Sequence, residues 1–227
     1  MLLSTILALV VLTQPTVDPS GHWQGKVQTP AGQMPIEVDL ARNAKGEWTG
    51  TINLPDEQLK GLPLQSVELK GNKIGLNARR DQPMEGEISV DGKSIEGTLN
   101  TPEGGAPFVL TRTGDAVIAP AVTSDPIARD LEGLWNASLM TREGELQLAL
   151  NLANQPDGKG MARIINITQG GLILPARFVQ NASTVTLEIT VLPLSFTGSL
   201  NAGRNELTGT IKQGGTSVPL TFKKAGF

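Results

Sequence analysis

Shifted against itself by 112 positions, the 227-residue chain repeats without a gap over most of its length. Gly21, His22 and Trp23 fall on Gly133, Leu134 and Trp135. Thr29, Gly32, Leu40, Ala41, Gly46 and Ile52 recur as Thr141, Gly144, Leu152, Ala153, Gly158 and Ile164. Leu62, Pro63 and Val67 recur as Leu174, Pro175 and Val179. Gly86, Gly97, Thr98 and Pro107 recur as Gly198, Gly209, Thr210 and Pro219. The register slips by one residue only around Ile74 and Val185. A period this long is not that of a solenoid. It divides the chain into a leading segment (1–19), a first copy (20–113), a linker (114–132) and a second copy (133–227).

Each copy is a series of short apolar–polar alternations between turn signals, the pattern of half-buried strands. Ile36, Val38 and Leu40 face one way; Glu37 and Asp39 face the other. The same alternation runs through Ile74–Ala78, Gly86–Val90 and Ile95–Leu99, and in the second copy through Leu146–Leu152, Val185–Val191 and Leu207–Ile211. Residues 43–46, 156–158 and 91–92 carry the Asn, Asp and Gly of hairpin turns. About eight strands per copy with one apolar face predict an all-β fold: two tandem antiparallel up-and-down β-barrels, whose closure removes exposed strand edges. Gly25, Gly50, Gly86 and Gly97 fall on the inward face. Inward glycines mark bends or close approaches, as a tightly curved barrel with Trp23 and Trp48 lying across them requires. In the linker, Ser124 or Asp125 as cap, Pro126 at the first helical position and Gly133 as terminator predict a short helical turn.

Residues 1–12 form an uncharged apolar run, too short for the roughly 20 residues of a membrane-spanning helix. It sits where the h-region of a secretory signal sits, although no Lys or Arg precedes it. With no Cys in the chain, the expectation is a secreted or periplasmic, disulfide-free protein held by its own core.

Each copy opens with G-x-W and ends its last strand on an inward-pointing basic residue, Arg112 or Lys224. This arrangement resembles the lipocalin and calycin superfamily. There the G-x-W tryptophan packs beneath a basic residue of the last strand and seals one barrel end. The resemblance implies structural barrel-end pairs Trp23 with Arg112 and Trp135 with Lys224, each a cation over an indole face. Together with the late glycine motifs at Gly86, Gly97, Gly198 and Gly209, the G-x-W start also resembles the non-catalytic N-terminal β-module of secreted bacterial α/β-hydrolases.

The chemistry available is narrow. With 0 Cys and 1 His, there is no thiolate site and no multi-histidine metal centre. A net charge of −3 argues against nucleic acid. No G-x-S-x-G nucleophile elbow occurs, and no His follows His22. His22 reads as a surface or end-packing residue. Strand parity puts Glu37, Asp39, Glu47, Glu68, Glu85, Glu87, Glu96, Glu145, Glu188 and Glu206 on the outer face as solvated acids, not as a converging catalytic pair. No EF-hand loop or phosphate-binding loop appears. The triplets at Asn136, Asn166 and Asn181 read as chance N-x-S/T matches. No catalytic residue, metal or cofactor is expected. The leading expectation is an exported non-catalytic binding or interaction module accessory to a hydrolase, with a protein partner. The first alternative is a carrier of a small apolar ligand, with Trp48, Phe108, Phe196 and Phe222 lining the barrel interiors. The second is a carboxylate-based hydrolase.

Overall fold

Duplication predicts that strand boundaries recur at the sequence offset, and they do. The computed structural model describes residues 17–141 and 144–226; the apolar run at 1–12 lies outside them. The first copy comprises β1 (Gly21–Thr29), β2 (Gly32–Arg42), β3 (Trp48–Leu54), a 3-10 turn (Pro55–Glu57), β4 (Leu59–Pro63), β5 (Ser66–Lys70), β6 (Lys73–Asn77), β7 (Met84–Ile88), β8 (Ser94–Thr101) and β9 (Gly104–Gly114). The second comprises β10 (Gly133–Thr141), β11 (Gly144–Asn154), β12 (Gly160–Asn166), β13 (Leu172–Asn181), β14 (Thr184–Ile189), β15 (Leu194–Leu200), β16 (Glu206–Gln213) and β17 (Thr216–Lys224). Among the described residues no helix is long and apolar enough to cross a membrane.

The second copy is a closed barrel of eight strands in chain order. The first is a curled nine-stranded sheet that runs from β4 through β1 and β9 to β5. Its two ends, β4 and β5, are consecutive halves of what is one strand in the second copy. The first half of β13 pairs with β12 and its second half with β14, and Ala176 is paired on both sides. In the first copy β4 pairs with β3 and β5 with β6. One extra residue, Gln65, stands between the halves: Leu62 matches Leu174 at an offset of 112, but Val67 matches Phe178 at 111, because Ile52↔Leu62 and Val67↔Leu76 mirror Ile164↔Leu174 and Phe178↔Leu187. The slip seen in the sequence near Ile74 therefore begins at Gln65, and the counterpart of Val67 is Phe178, not Val179. An inserted residue interrupts a ladder and bends the strand.

A recurring turn closes three of the hairpins. Thr29, Thr101 and Thr141 each donate a side-chain hydrogen bond of 2.9 Å to the carbonyl of the glycine three residues on. Those glycines, Gly32, Gly104 and Gly144, have φ of 132°, 135° and 124°, a region that disfavours any β-carbon.

The linker is docked on both copies. Val117 N–H donates to Asp39 Oδ1 at 2.9 Å on the first, and Ser124 forms a bridge with Gly160 on the second. The linker forms a single turn before β10, with Leu131 N–H on Ala128 O at 2.8 Å and Glu132 N–H on Arg129 O at 3.3 Å. The turn goes no further because the Asn154 amide takes both backbone groups of Ile127, at 2.8 and 2.7 Å.

The two copies share a core. Leu59 and Leu62 of the first are buried in the apolar cluster of the second, while Leu54 and Ala78 pack against both clusters. Lys60 N–H donates to Val191 O at 2.9 Å and Arg80 N–H to Gly170 O at 3.0 Å. The side chain of Gln65, the inserted residue, donates to Gly171 O at 2.9 Å. The contacts are reciprocal: the segment around Lys60 meets the loop at Val191, the counterpart of the Arg80 loop, and the Arg80 loop meets Gly170, the counterpart of the turn before Lys60. The first copy plugs one end of the second barrel. Leu62→Ala should cost about 2–4 kcal/mol and, although it lies in the first copy, should raise amide exchange around Val191 and Leu174. Loosening confined to the first copy would show that the plug is not structural.

Candidate functional site

The ends opposite the plug are sealed by the same unit twice. Trp23 Nε1 donates to Pro19 O at 3.0 Å, and Trp135 Nε1 to Leu131 O at 2.9 Å, each four residues upstream. The Arg112 guanidinium lies 4.7 Å from the Trp23 ring centroid and donates to Asp18 O. Lys224 Nζ lies 5.8 Å from the Trp135 ring and donates to Asp130 O at 2.6 Å. The segment before each first strand is thereby pinned by the indole and by the cation. The Ser20 amide, aided by the Arg112 and Arg42 charges, holds the Asp18 carboxyl below its usual range; Arg204 does the same for Asp130.

Trp48 is not an interior residue. It stands half-buried at the rim, under the Arg42 guanidinium at 4.1 Å. Its counterpart is Gly160, where a β-carbon would meet Asp125 O at 2.4 Å and Ile127 at 2.9 Å. The linker covers in the second barrel the end that Trp48 covers in the first. Phe108, Phe196 and Phe222 are fully buried. Phe196 and Phe222 meet edge to face at 5.3 Å and 82°, and the Phe108 ring lies over Gly86 and Gly97. These rings fill the barrels and offer no open lining.

An opening lies instead in the wall of the second barrel. In the first copy β1 and β9 pair over six positions, from His22↔Gly114 to Val27↔Phe108. The equivalent β10 and β17 pair only at Trp135↔Lys224 and Asn136↔Lys223. The cause is one methyl group. A β-carbon on Gly25 would stand 1.9 Å from Val109 O, so the tight seam of the first barrel requires glycine. The second copy carries Ala137 at that position, and the strands part beyond it.

The parted strands bound a cleft of about 670 Å³. Asn136, Ser138, Glu145, Gln147, Thr221 and Lys223 give it a polar rim; Ala137, Leu148 and Leu220 form its apolar floor, with Pro219 and Ile167 at the sides. Lys223 is bridged to Glu206 at 3.3 Å. Reading the sequence for inward aromatics missed this site. The signal was present in the repeat alignment as Gly25 against Ala137. A second cleft of about 460 Å³ lies between the linker turn and β13, lined by Asp125–Arg129 and Phe178–Gln180.

The acids behave as parity predicts in all but one case. Asp39 faces outward from the barrel but is buried by the linker, with only 3% of its surface exposed. Its Oδ1 accepts from the Val117 amide and pairs with His22 Nδ1 at 2.8 Å. Parity cannot register a strap laid over the outer face. The pair is a docking contact for the linker: no second carboxylate is joined to it, and among the described residues no three metal-ligating side chains gather.

Two pairs of substitutions test these assignments. Gly25→Ala should cost about 1–3 kcal/mol by overpacking and open the first seam, with faster exchange at Lys26 and Val109. Ala137→Gly should close the second seam and protect Ser138 and Thr221; unchanged exchange there would place the cause of the opening elsewhere. At the ends, Arg112→Met should cost about 1–3 kcal/mol through the lost indole contact and charged hydrogen bond. Lys224→Met should cost less, its cation being farther from the ring, and equal losses in thermal unfolding would count against the stacking argument.

No protein-family model and no curated protein matches the chain. Among solved structures, the chain is similar to a candidate outer membrane protein of Bacteroides fragilis NCTC 9343, at 11% identity and a TM-score of 0.27 over 90% of this chain and 96% of the other. It is similar also to a protein of unknown function from the DUF3598 family of Nostoc punctiforme PCC 73102, at 12% identity and a TM-score of 0.27 over 91% and 96%.

Proposed function

We propose that this chain is an exported, non-catalytic binding module built from two calycin-type barrels, 20–113 and 133–227, and that it binds through the wall of the second. The observation that carries the reading is the parted seam between β10 and β17, polar at its rim and apolar at its floor. Both ends of that barrel are occupied, one by Leu59 and Leu62, the other by Ile127, Leu131 and Trp135. Its interior is filled by Phe196 and Phe222. A ligand therefore has a lateral site and no axial one, which disfavours the carrier reading with an interior ligand. The strand acids do not converge on one another as a catalytic pair would, which supports a non-catalytic role. The repeated tryptophan–cation–carbonyl unit supports the calycin kinship. Export rests on the apolar run at 1–12 and the lack of Cys. Association with a hydrolase is supported only by the glycine motifs shared with hydrolase β-modules.

The lack of cysteine makes a clean test available. Ser138→Cys with Thr221→Cys places thiols on directly opposed positions of the seam, equivalent to the paired Lys26↔Val109 of the first copy. A panel of apolar fragments, short sugars and short peptides, read by amide chemical shifts, should give responses confined to the seam and abolished in the oxidised double variant. Responses at the barrel ends, or ones that survive the staple, would overturn the site.

A further inference from the structure

The seam's chemistry narrows what it takes. Backbone groups alternate in direction along a strand. Ala225 N–H donates to Leu134 O at 2.8 Å, so Leu134 faces β17, and Asn136, Ser138 and Met140 face the same way. On the other wall Lys224 N–H donates to Asn205 O at 2.9 Å, toward β16, so Ser217, Pro219 and Thr221 face the seam. Beyond Asn136↔Lys223 no ladder joins the two rows. The β10 wall offers the N–H and C=O groups of both Ser138 and Met140. The β17 wall is weaker, because Pro219 has no N–H.

We propose that the seam of the second barrel binds an extended polypeptide segment of a partner, added as a strand antiparallel to β10. This rests on the seam being the binding site. Only an extended backbone presents donors and acceptors at the spacing of a strand edge. The edge beyond Asn136, residues 137–140, is about 14 Å at roughly 3.4 Å per residue, enough for a four-residue strand. Side chains of the incoming strand alternate. Those pointing in meet Ala137, Leu148 and Leu220; those pointing out meet Asn136, Glu145 and Thr221. The segment therefore alternates apolar and polar residues. A strand still held in a folded barrel cannot enter, because the site is walled on both sides. A strand inserted into an even-stranded barrel is antiparallel to one neighbour and parallel to the other. The complete β10 edge takes the antiparallel side, where pairing is slightly more stable per residue.

The test uses the full chain and the peptide Lys-Val-Thr-Val-Thr-Val-Thr-Lys. With valines inward, the threonine amides point at β10 and the valine amides at β17. Binding should protect the Ser138 and Met140 amides from exchange. N-methylation of the threonines should weaken it at least about tenfold, since each lost bond is worth about fivefold and more than one is lost; N-methylation of the valines should leave it within about threefold. The oxidised Ser138→Cys/Thr221→Cys variant should not bind, and Ala137→Gly, should the staple fail to fold, should bind more weakly. Equal loss in both methylated peptides overturns the strand geometry. No peptide binding, with an apolar fragment still perturbing the seam, overturns the peptide inference and leaves the binding module standing. No response to either, with Ser138 and Thr221 already protected, removes both. Concentration-dependent dimers dissolved by the staple would assign the seam to a second copy of this chain and overturn the partner segment.

Discussion

A barrel of eight short strands has an interior no wider than its own side chains, so the approach of each strand to the next is decided at the β-carbon. The closing seam is where this constraint is tightest, since the first and last strands must meet at whatever spacing the rest of the wall leaves them. In the first copy they meet because Gly25 has nothing to set against Val109 O. In the second, one methyl on Ala137 shortens the closing ladder to two rungs. The remaining architecture of the second barrel accommodates that loss: its ends are held by the linker and by the first copy, so it stays closed although its seam is short.

Divergence between the copies is complementary rather than random. Gly50 is matched by Leu64, whose side chain would lie 2.8 Å from a β-carbon on the glycine; the second copy has Ala162 paired with Ala176. Trp48 shields its own barrel end, whereas Gly160 admits the linker. The core aromatic of the first barrel comes from the last strand as Phe108. In the second, that position is Leu220, and the rings are Phe196 and Phe222. Each exchange changes which segment supplies the filling. The extra Gln65 has the largest effect, because it splits one strand and then uses its side chain to tie the first barrel to Gly171 of the second.

The strands and hairpins were legible in the sequence because each is local: alternation sets the faces, and Asn, Asp and Gly mark the turns at 43–46, 91–92 and 156–158; the threonine-capped turn at Gly32, Gly104 and Gly144 was not read there. Parity also points Arg112 and Lys224 inward, and the structure sets them over Trp23 and Trp135. What escaped was relational. A gap-free alignment treats Gly25 against Ala137 as a mild change, and only the distance to a carbonyl on another strand makes it decisive. Asp39 has outward parity and is buried all the same, because the linker is laid over it. Trp48 has inward parity, yet stands at a mouth where inward means the rim. The linker turn stops after one turn because the Ile127 carbonyl is taken by Asn154 from a distant strand, a contact that no local signal registers.

The same reasoning separates binding from carriage. Widening the interior of a small barrel means removing a core ring, and loss of a buried Phe costs about 3–5 kcal/mol. Opening the wall costs a few ladder hydrogen bonds at roughly 1 kcal/mol each, and solvent or a ligand can replace them. A duplicated barrel acquires a ligand site far more cheaply at its seam than at its centre. The second copy departs from the first at the seam, with its interior still full, as that comparison of costs requires.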